Sequence, residues 1–185
     1  MDKDTLKVFK VFGFIVTASI TLYSVVKIMA ETANRVDAVR TKLTVKQAKD
    51  VLAKALTVEL GRNPTTNELA MLVAQSAFET ANWQSMFHWN FGNSVVGASN
   101  GKWYTLKNDA NLPLESRHKY KVFSNANEGA LYYVKLLHKQ FPKAFALLGS
   151  NDTKAFAQAL KDSHYYETTV DKYAAGLNSR LTLVG

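Results

Sequence analysis

Residues 65–80 read TTNELAMLVAQSAFET, and this stretch decides what the rest of the chain is built around. Thr65 followed three places later by Glu68 has the form of a capping box, in which each side chain accepts a hydrogen bond from the other residue's backbone N–H. Leu69, Leu72, Val73, Ser76, Ala77 and Thr80 then share one narrow face at 3.6 residues per turn, which predicts a helix over 66–81. On that wheel Glu79 falls at the margin of the apolar face, one turn beyond Gln75. A carboxyl there is half buried, with Phe78, Trp83, Phe87 and Trp89 as its neighbours in sequence. An apolar, aromatic setting disfavours the anion and raises a carboxyl pKa, the property a general acid needs near neutral pH. Taken alone, a glutamate near a helix end is an ordinary solvated residue.

Working outward, Thr44-Val-Lys-Gln47 repeats the capping form, and Val45, Ala48, Val51, Leu52, Ala55 and Leu56 recur at helical spacing until Gly61 stops them. Between Gly92 and Phe123 glycine, asparagine and proline break the chain repeatedly, while residues 102–106 and 120–123 read as short strands of a hairpin lobe. Helical periodicity returns over 127–140, with Ala130, Tyr133, Val134 and Leu137 on one face and Pro142 as the stop. Shorter helices are expected over 143–148, over 153–161 behind an Asp152 cap, and over 170–181. The soluble part is therefore expected to be mainly α, with a small β-hairpin lobe.

The 185 residues, 47% of them apolar and 21% charged, suffice for one packed domain and an appendage. With no cysteine, disulfides, thiolate metal sites and a cysteine nucleophile are excluded. Twenty-three basic against 15 acidic residues give net +8, which favours polyanions without choosing among them. The basic residues are scattered and no nucleic-acid recognition motif occurs, so no nucleic acid is expected as a partner. His88, His118, His138 and His164 lack ligand spacing, and neither a phosphate-binding glycine loop nor a serine elbow is present. Neither metal nor cofactor is expected.

Residues 11–26, VFGFIVTASITLYSVV, carry no charge and are bracketed by Lys10 and Lys27. Lysine stems snorkel, so the apolar span extends over residues 8–29, long enough for one N-terminal transmembrane helix that contacts the lipid bilayer. Lys3, Lys7 and Lys10 precede it, which places the N-terminus in the cytoplasm and the rest outside, in the periplasm. Lys27 sits where a signal-peptide cleavage site would follow, which favours an uncleaved anchor. The expected organisation is an anchor over 1–30, a juxtamembrane linker over 31–43 and a catalytic domain over 44–185.

The residues around Glu79 carry a further signal. Ala74-Gln-Ser-Ala-Phe-Glu-Thr80, then Trp83, then Asn90-Phe-Gly-Asn93 resemble the glucosaminidase family of bacterial and phage wall hydrolases, in which A-Q-x-x-L-E-[ST]-G-W precedes N-[LN]-F-G. In collinear order follow Tyr120–Gly129, similar to the family's phenylalanine-led strand entering a helix, and Asp152–Leu160, similar to its D-x-x-A-F-A-x-A-L segment. His164-Tyr-Tyr-Glu-Thr-Thr-Val-Asp-Lys-Tyr173 resembles the element that closes the family's cleft. The resemblance spans residues 45–181. It implies a lysozyme-like fold, peptidoglycan glycan strands as substrate, and Glu79 as the acid that protonates the glycosidic oxygen. By the same resemblance Asn90, Phe91 and Asn93 line the groove, and Tyr165 and Tyr166 border the reacting sugar. Tyr173 matches too and is expected to pack. Trp89 and Trp103 are further stacking candidates, and Gln75 is placed to meet the carboxyl or an acetamido group.

The chain departs from the family at Ala81-Asn82, where glycine commonly precedes the tryptophan, and at His164, which replaces the glycine before the tyrosine pair. A second carboxylate has no convincing motif, with Asp109, Glu115 and Glu167 as the candidates. An inverting hydrolase needs one about 6.5–9.5 Å from the acid. Hydrolysis of the endo-β-N-acetylglucosaminidase type and lytic transglycosylation by a lone glutamate therefore both stay open. So does a non-catalytic wall-binding or membrane structural protein. The architecture fits a bacterial envelope enzyme and a phage virion membrane protein alike; the absence of wall-binding repeats tilts the expectation toward the phage.

Overall fold

The computed structural model describes residues 33–96, 101–107, 111–113 and 116–183. The expected transmembrane helix over 8–29 lies outside these residues. Among the described residues no helix is long and apolar enough to cross a membrane. Two compact units divide at Val36/Asp37, and the second, Asp37–Gly185, carries everything that follows.

That unit is a helical domain in which α1 (Val45–Leu60) and α2 (Thr66–Glu79) come first, each behind a complete capping box, at Thr44/Gln47 and Thr65/Glu68. A two-stranded antiparallel sheet follows, β1 (Trp103–Tyr104) against β2 (Tyr120–Lys121), with Trp103 opposite Lys121 and Tyr104 opposite Tyr120. Then come α3 (Ala126–Gln140), α4 (Pro142–Ala146), a 3-10 turn (Leu148–Ser150), α5 (Thr153–Asp162) and α6 (Val170–Leu181). The strands are shorter than expected. The span 143–148, expected as one helix, is divided between α4 and the 3-10 turn.

α2 is the central element, packed on α1, the 3-10 turn and α6, while α1 also lies against α3. This position explains its composition. Met71 through Ala77 are buried without interruption, so the narrow stripe expected from the wheel is in fact a helix covered nearly all round. Gly176 lets α6 approach: a Cβ there would meet the Phe78 ring at 2.4 Å. Gly129 does the same for α3, since its Cβ would meet the Trp89 carbonyl oxygen at 1.9 Å.

The domain begins earlier than expected. Residues 37–41, read as linker, are laced to the segment after α2: Thr41 N–H donates to Met86 O (3.0 Å), His88 N–H to Val39 O (3.0 Å), and Trp89 N–H to the Thr41 hydroxyl (3.0 Å).

Candidate active site

α2 ends on the residue that matters, two positions short of the expected Ala81, and the ending is made by left-handed backbone. Ala81, Asn82 and Trp83 all have positive φ (49°, 55° and 59°), and Asn82 N–H reaches back five residues to Ala77 O at 2.7 Å. Helices commonly stop this way with glycine, which has no Cβ to object. Here alanine takes the place. Thr80 and Ser76 hold the turn from within: the Thr80 hydroxyl accepts from Trp83 N–H (3.1 Å), and the buried Trp83 indole donates to Ser76 Oγ (3.1 Å). The same Ser76 hydroxyl donates to Phe91 O, tying the next loop to α2.

Glu79 therefore sits on the last helical turn, half-buried, where it lines a groove of about 600 Å³. Burial pushes its carboxyl up from the ordinary value, partly offset by a hydrogen bond from Tyr173 that favours the anion. The Tyr173 hydroxyl donates to Glu79 Oε1 at 2.6 Å. Its ring is fixed on two sides, stacked on Tyr166 at 3.9 Å with 5° between planes and edge-on to Phe78 at 5.0 Å. Tyr133 and Tyr165, whose hydroxyls burial makes harder to ionise, also feel the Glu79 charge. The aromatic setting is real, but its source differs from the sequence neighbours. Trp83 is spent on Ser76 and Phe87 faces Tyr104 at 5.9 Å, whereas the tyrosines come from α3 onward.

Of the expected groove residues, the structure brings Asn93 and Tyr165 to the groove with Glu79. Asn93 Nδ2 donates to Glu79 O at 2.7 Å, satisfying a carbonyl that the helix end leaves open. Tyr165 owes its place to His164, whose φ of 56° turns the chain after α5; Tyr165 N–H donates to Leu160 O (3.0 Å) and His164 N–H to Lys161 O (2.9 Å). The backbone thus keeps at 81 and 164 the left-handed conformation that glycine would adopt without strain.

The remaining candidates are not among the residues lining the groove. Phe91 is wholly buried in the core, and Trp103 is 4% exposed with Lys119 Nζ over its ring, so neither faces the groove. Trp89 packs partly buried against the core, its carbonyl pressed on Gly129. Asn90 is buried and structural: Nδ2 donates to Ser94 O (2.9 Å) and Lys121 O (3.2 Å), and Oδ1 accepts from Ser94 N–H (2.8 Å). Gln75 is fully buried, with Oε1 accepting from the Tyr133 hydroxyl at 2.7 Å, and it does not touch the groove. Tyr166 lies behind Tyr173 as a stacking partner, its hydroxyl bonded to Ala157 O.

Among the second carboxylates, Asp109 and Glu115 lie outside the described residues. Glu167 is exposed, absent from the groove, and engaged through its carbonyl by Lys161 Nζ (2.6 Å). Among the described residues no cluster of histidine, aspartate and glutamate could hold a metal ion.

Sequence reasoning missed Tyr173, expected only to pack, and the far wall of the groove: Lys121, Tyr132, Leu136, Gln140 and Phe141. The far wall had a signal. Tyr132, Leu136 and Gln140 recur every four residues along α3, a second face beside the core stripe of Ala130, Tyr133, Val134 and Leu137.

No protein family and no curated protein matches the chain by sequence. Solved structures match by fold. The peptidoglycan hydrolase from Sphingomonas sp. A1 superposes with a TM-score of 0.52 at 23% identity, covering 75% of this chain and 91% of that one. The glycoside hydrolase domain of Salmonella typhimurium FlgJ gives 0.50 at 21% identity, over 76% and 87%. The chain has the mainly helical, lysozyme-like fold of these hydrolases, the fold that the glucosaminidase resemblance implies.

Proposed function

We propose that the chain cleaves the glycan strands of peptidoglycan as a membrane-anchored enzyme of the endo-β-N-acetylglucosaminidase type, with Glu79 as its general acid. One observation carries this reading: a half-buried carboxyl lines an open groove, and one of its oxygens is already occupied by a tyrosine hydroxyl. Burial favours the protonated form of Glu79. Because Oε1 accepts from Tyr173, it is the carbonyl-like oxygen, and the acid proton belongs on Oε2. The sugar alcohol is a poor leaving group, so a proton delivered to the glycosidic oxygen as the bond breaks is the help this reaction most needs. That solved structures sharing the fold include a peptidoglycan hydrolase and a glycoside hydrolase domain supports the substrate class.

The experiment is Glu79→Gln, assayed on purified wall. Release of glycan fragments should fall by about 10²–10⁴-fold, the share a positioned acid supplies, with wall binding retained. Undiminished lysis by the variant would end the assignment, and binding without cleavage by the wild type would point to the non-catalytic alternative.

Among the described residues lining the groove, Glu79 is the sole carboxylate. A lone acid favours mechanisms in which the substrate supplies the second group. Its acetamido oxygen could assist hydrolysis, or its own hydroxyl could attack in lytic transglycosylation. Fragment analysis separates them, since hydrolysis leaves a reducing end and transglycosylation an anhydro sugar. Residues 8–29 would hold the enzyme at a membrane of either a bacterial envelope or a phage virion; detection in purified virions decides between these.

A further inference from the structure

We infer that the groove recognises a carboxylate hung from the strand's muramic sugars, and that Lys121 is the residue that receives it. The inference rests on the glycan-cleaving reading above and names the charge that the substrate must carry. Lys121 lines the same groove as Glu79 and is the sole cation among its described lining residues. Its position is fixed at both ends. The backbone is stitched to the opposite loop by Lys121 N–H to Ser94 O (2.9 Å) and by Asn90 Nδ2 to Lys121 O (3.2 Å). The ammonium is held 4.7 Å from the centre of the Tyr132 ring, another lining side chain.

Among the described residues this groove lysine has no acid partner. Lys46 pairs with Asp50 and Lys154 with Asp171 on the exposed surface, and Lys161 is taken up by the carbonyls of Tyr166 and Glu167. Lys121 makes no ion pair with any described residue. Glu128, the nearest acid in sequence among the described residues, accepts from Ser124 N–H at 2.8 Å. An aromatic face steadies a cation without neutralising it, so the charge stays available to a ligand. While Glu79 holds its proton, the groove's described lining is positive, and a concave wall concentrates that field. Peptidoglycan supplies the matching charge in two forms. Alternate sugars carry a lactyl group that either bears a peptide with free carboxylates or, once the peptide is removed, ends in a carboxylate itself.

The test uses the full chain and its Lys121→Met variant, which keeps an unbranched apolar side chain, with Lys121→Arg as the charge-retaining control. Four substrates are compared: strands with free-acid peptides, the same strands with those carboxylates amidated, strands stripped of peptide, and neutral N-acetylglucosamine oligomers. The inference expects Lys121→Met to lower the ratio of kcat/KM on carboxylate-bearing strands to that on amidated strands by about tenfold, one charge-assisted contact. Lys121→Arg should preserve the ratio. If the ratio falls for peptide-bearing strands, the peptide is the source; if for stripped strands, the lactyl group is. An equal loss on all four substrates, or no loss on any, overturns the inference. Calorimetric binding of the same strands to Glu79→Gln, with and without Lys121→Met, reads the same ratio without turnover. A wild type that binds with this charge selectivity but never cleaves would refute the catalytic reading and leave the carboxylate site standing.

Discussion

Replacing Tyr173 with Phe removes one oxygen and little else, because the ring stays clamped between Tyr166 and Phe78. That oxygen donates at 2.6 Å to a half-buried carboxyl. A hydrogen bond to a charged group is worth about 1.5–3 kcal/mol net, against about 1 kcal/mol for a neutral pair. The Tyr173 bond therefore favours the Glu79 anion over the acid by roughly 1 kcal/mol. Its loss leaves the proton more tightly held, and the acid must be protonated to work. The alkaline limb of the kcat/KM profile should accordingly move to higher pH in Tyr173→Phe. The freed carboxyl also loses its fixed oxygen, so the pH-independent kcat should drop about tenfold from misplacement of the proton. The assay is fragment release from soluble strands across the pH range, with a melting curve at each pH to confirm folding. A limb that moves to lower pH, or a profile and rate identical to the wild type, would refute the assigned direction of the bond and its role.

Other outcomes follow from the same physics. Because burial raises the Glu79 pKa, the folded state is favoured below the carboxyl's ordinary value and loses that contribution as pH rises through the raised value; the Tm of Glu79→Gln should therefore gain on the wild type as pH rises. Glu68 is the opposite case. Arg62 grips it at 2.6 and 2.9 Å and holds its carboxyl down to about 2 from 4.5, so its contribution is present above 4.5 and lost as pH falls toward 2. The Tm advantage of wild type over Glu68→Gln should close across that window. Exposed His164, at φ 56°, carries the cost of a left-handed Cβ; His164→Gly should raise stability by about 0.5–1 kcal/mol in denaturant melts, net of the unfolded-state entropy that glycine restores.

The helices were legible because their boundaries are written in adjacent residues. Thr44 with Gln47, Thr65 with Glu68 and Asp152 each cap as expected, since a cap needs only its own turn. Glu79 was legible for a related reason: periodicity places a residue on a face before any tertiary contact is known. What periodicity cannot supply is the identity of the opposing surface. The wheel put Glu79 at a margin, but Tyr173 arrives from α6, and nothing local to either residue marks the pair. The loop Asn90-Phe-Gly-Asn93 shows the same limit. Asn93 reaches the groove while Asn90 and Phe91 turn inward, a division set by the left-handed φ of 50° at Asn93 and by the bonds to Ser94 and Lys121, not by residue type. At Ala81 and His164 the chain lacks the glycine that the family commonly carries. The structure instead retains the turn and accepts the strain, which is stored beside the acid at one position and beside Tyr165 at the other.

The bond between Tyr173 and Glu79 also has a consequence in time. The two residues are 94 positions apart, and translation at about 5–20 residues per second separates their synthesis by roughly 5–20 s. During that interval a nascent chain displays the glutamate without the hydroxyl that orients it or the tyrosines that shield it. On the proposed reading, the proton donor is thus finished only by the docking of α6.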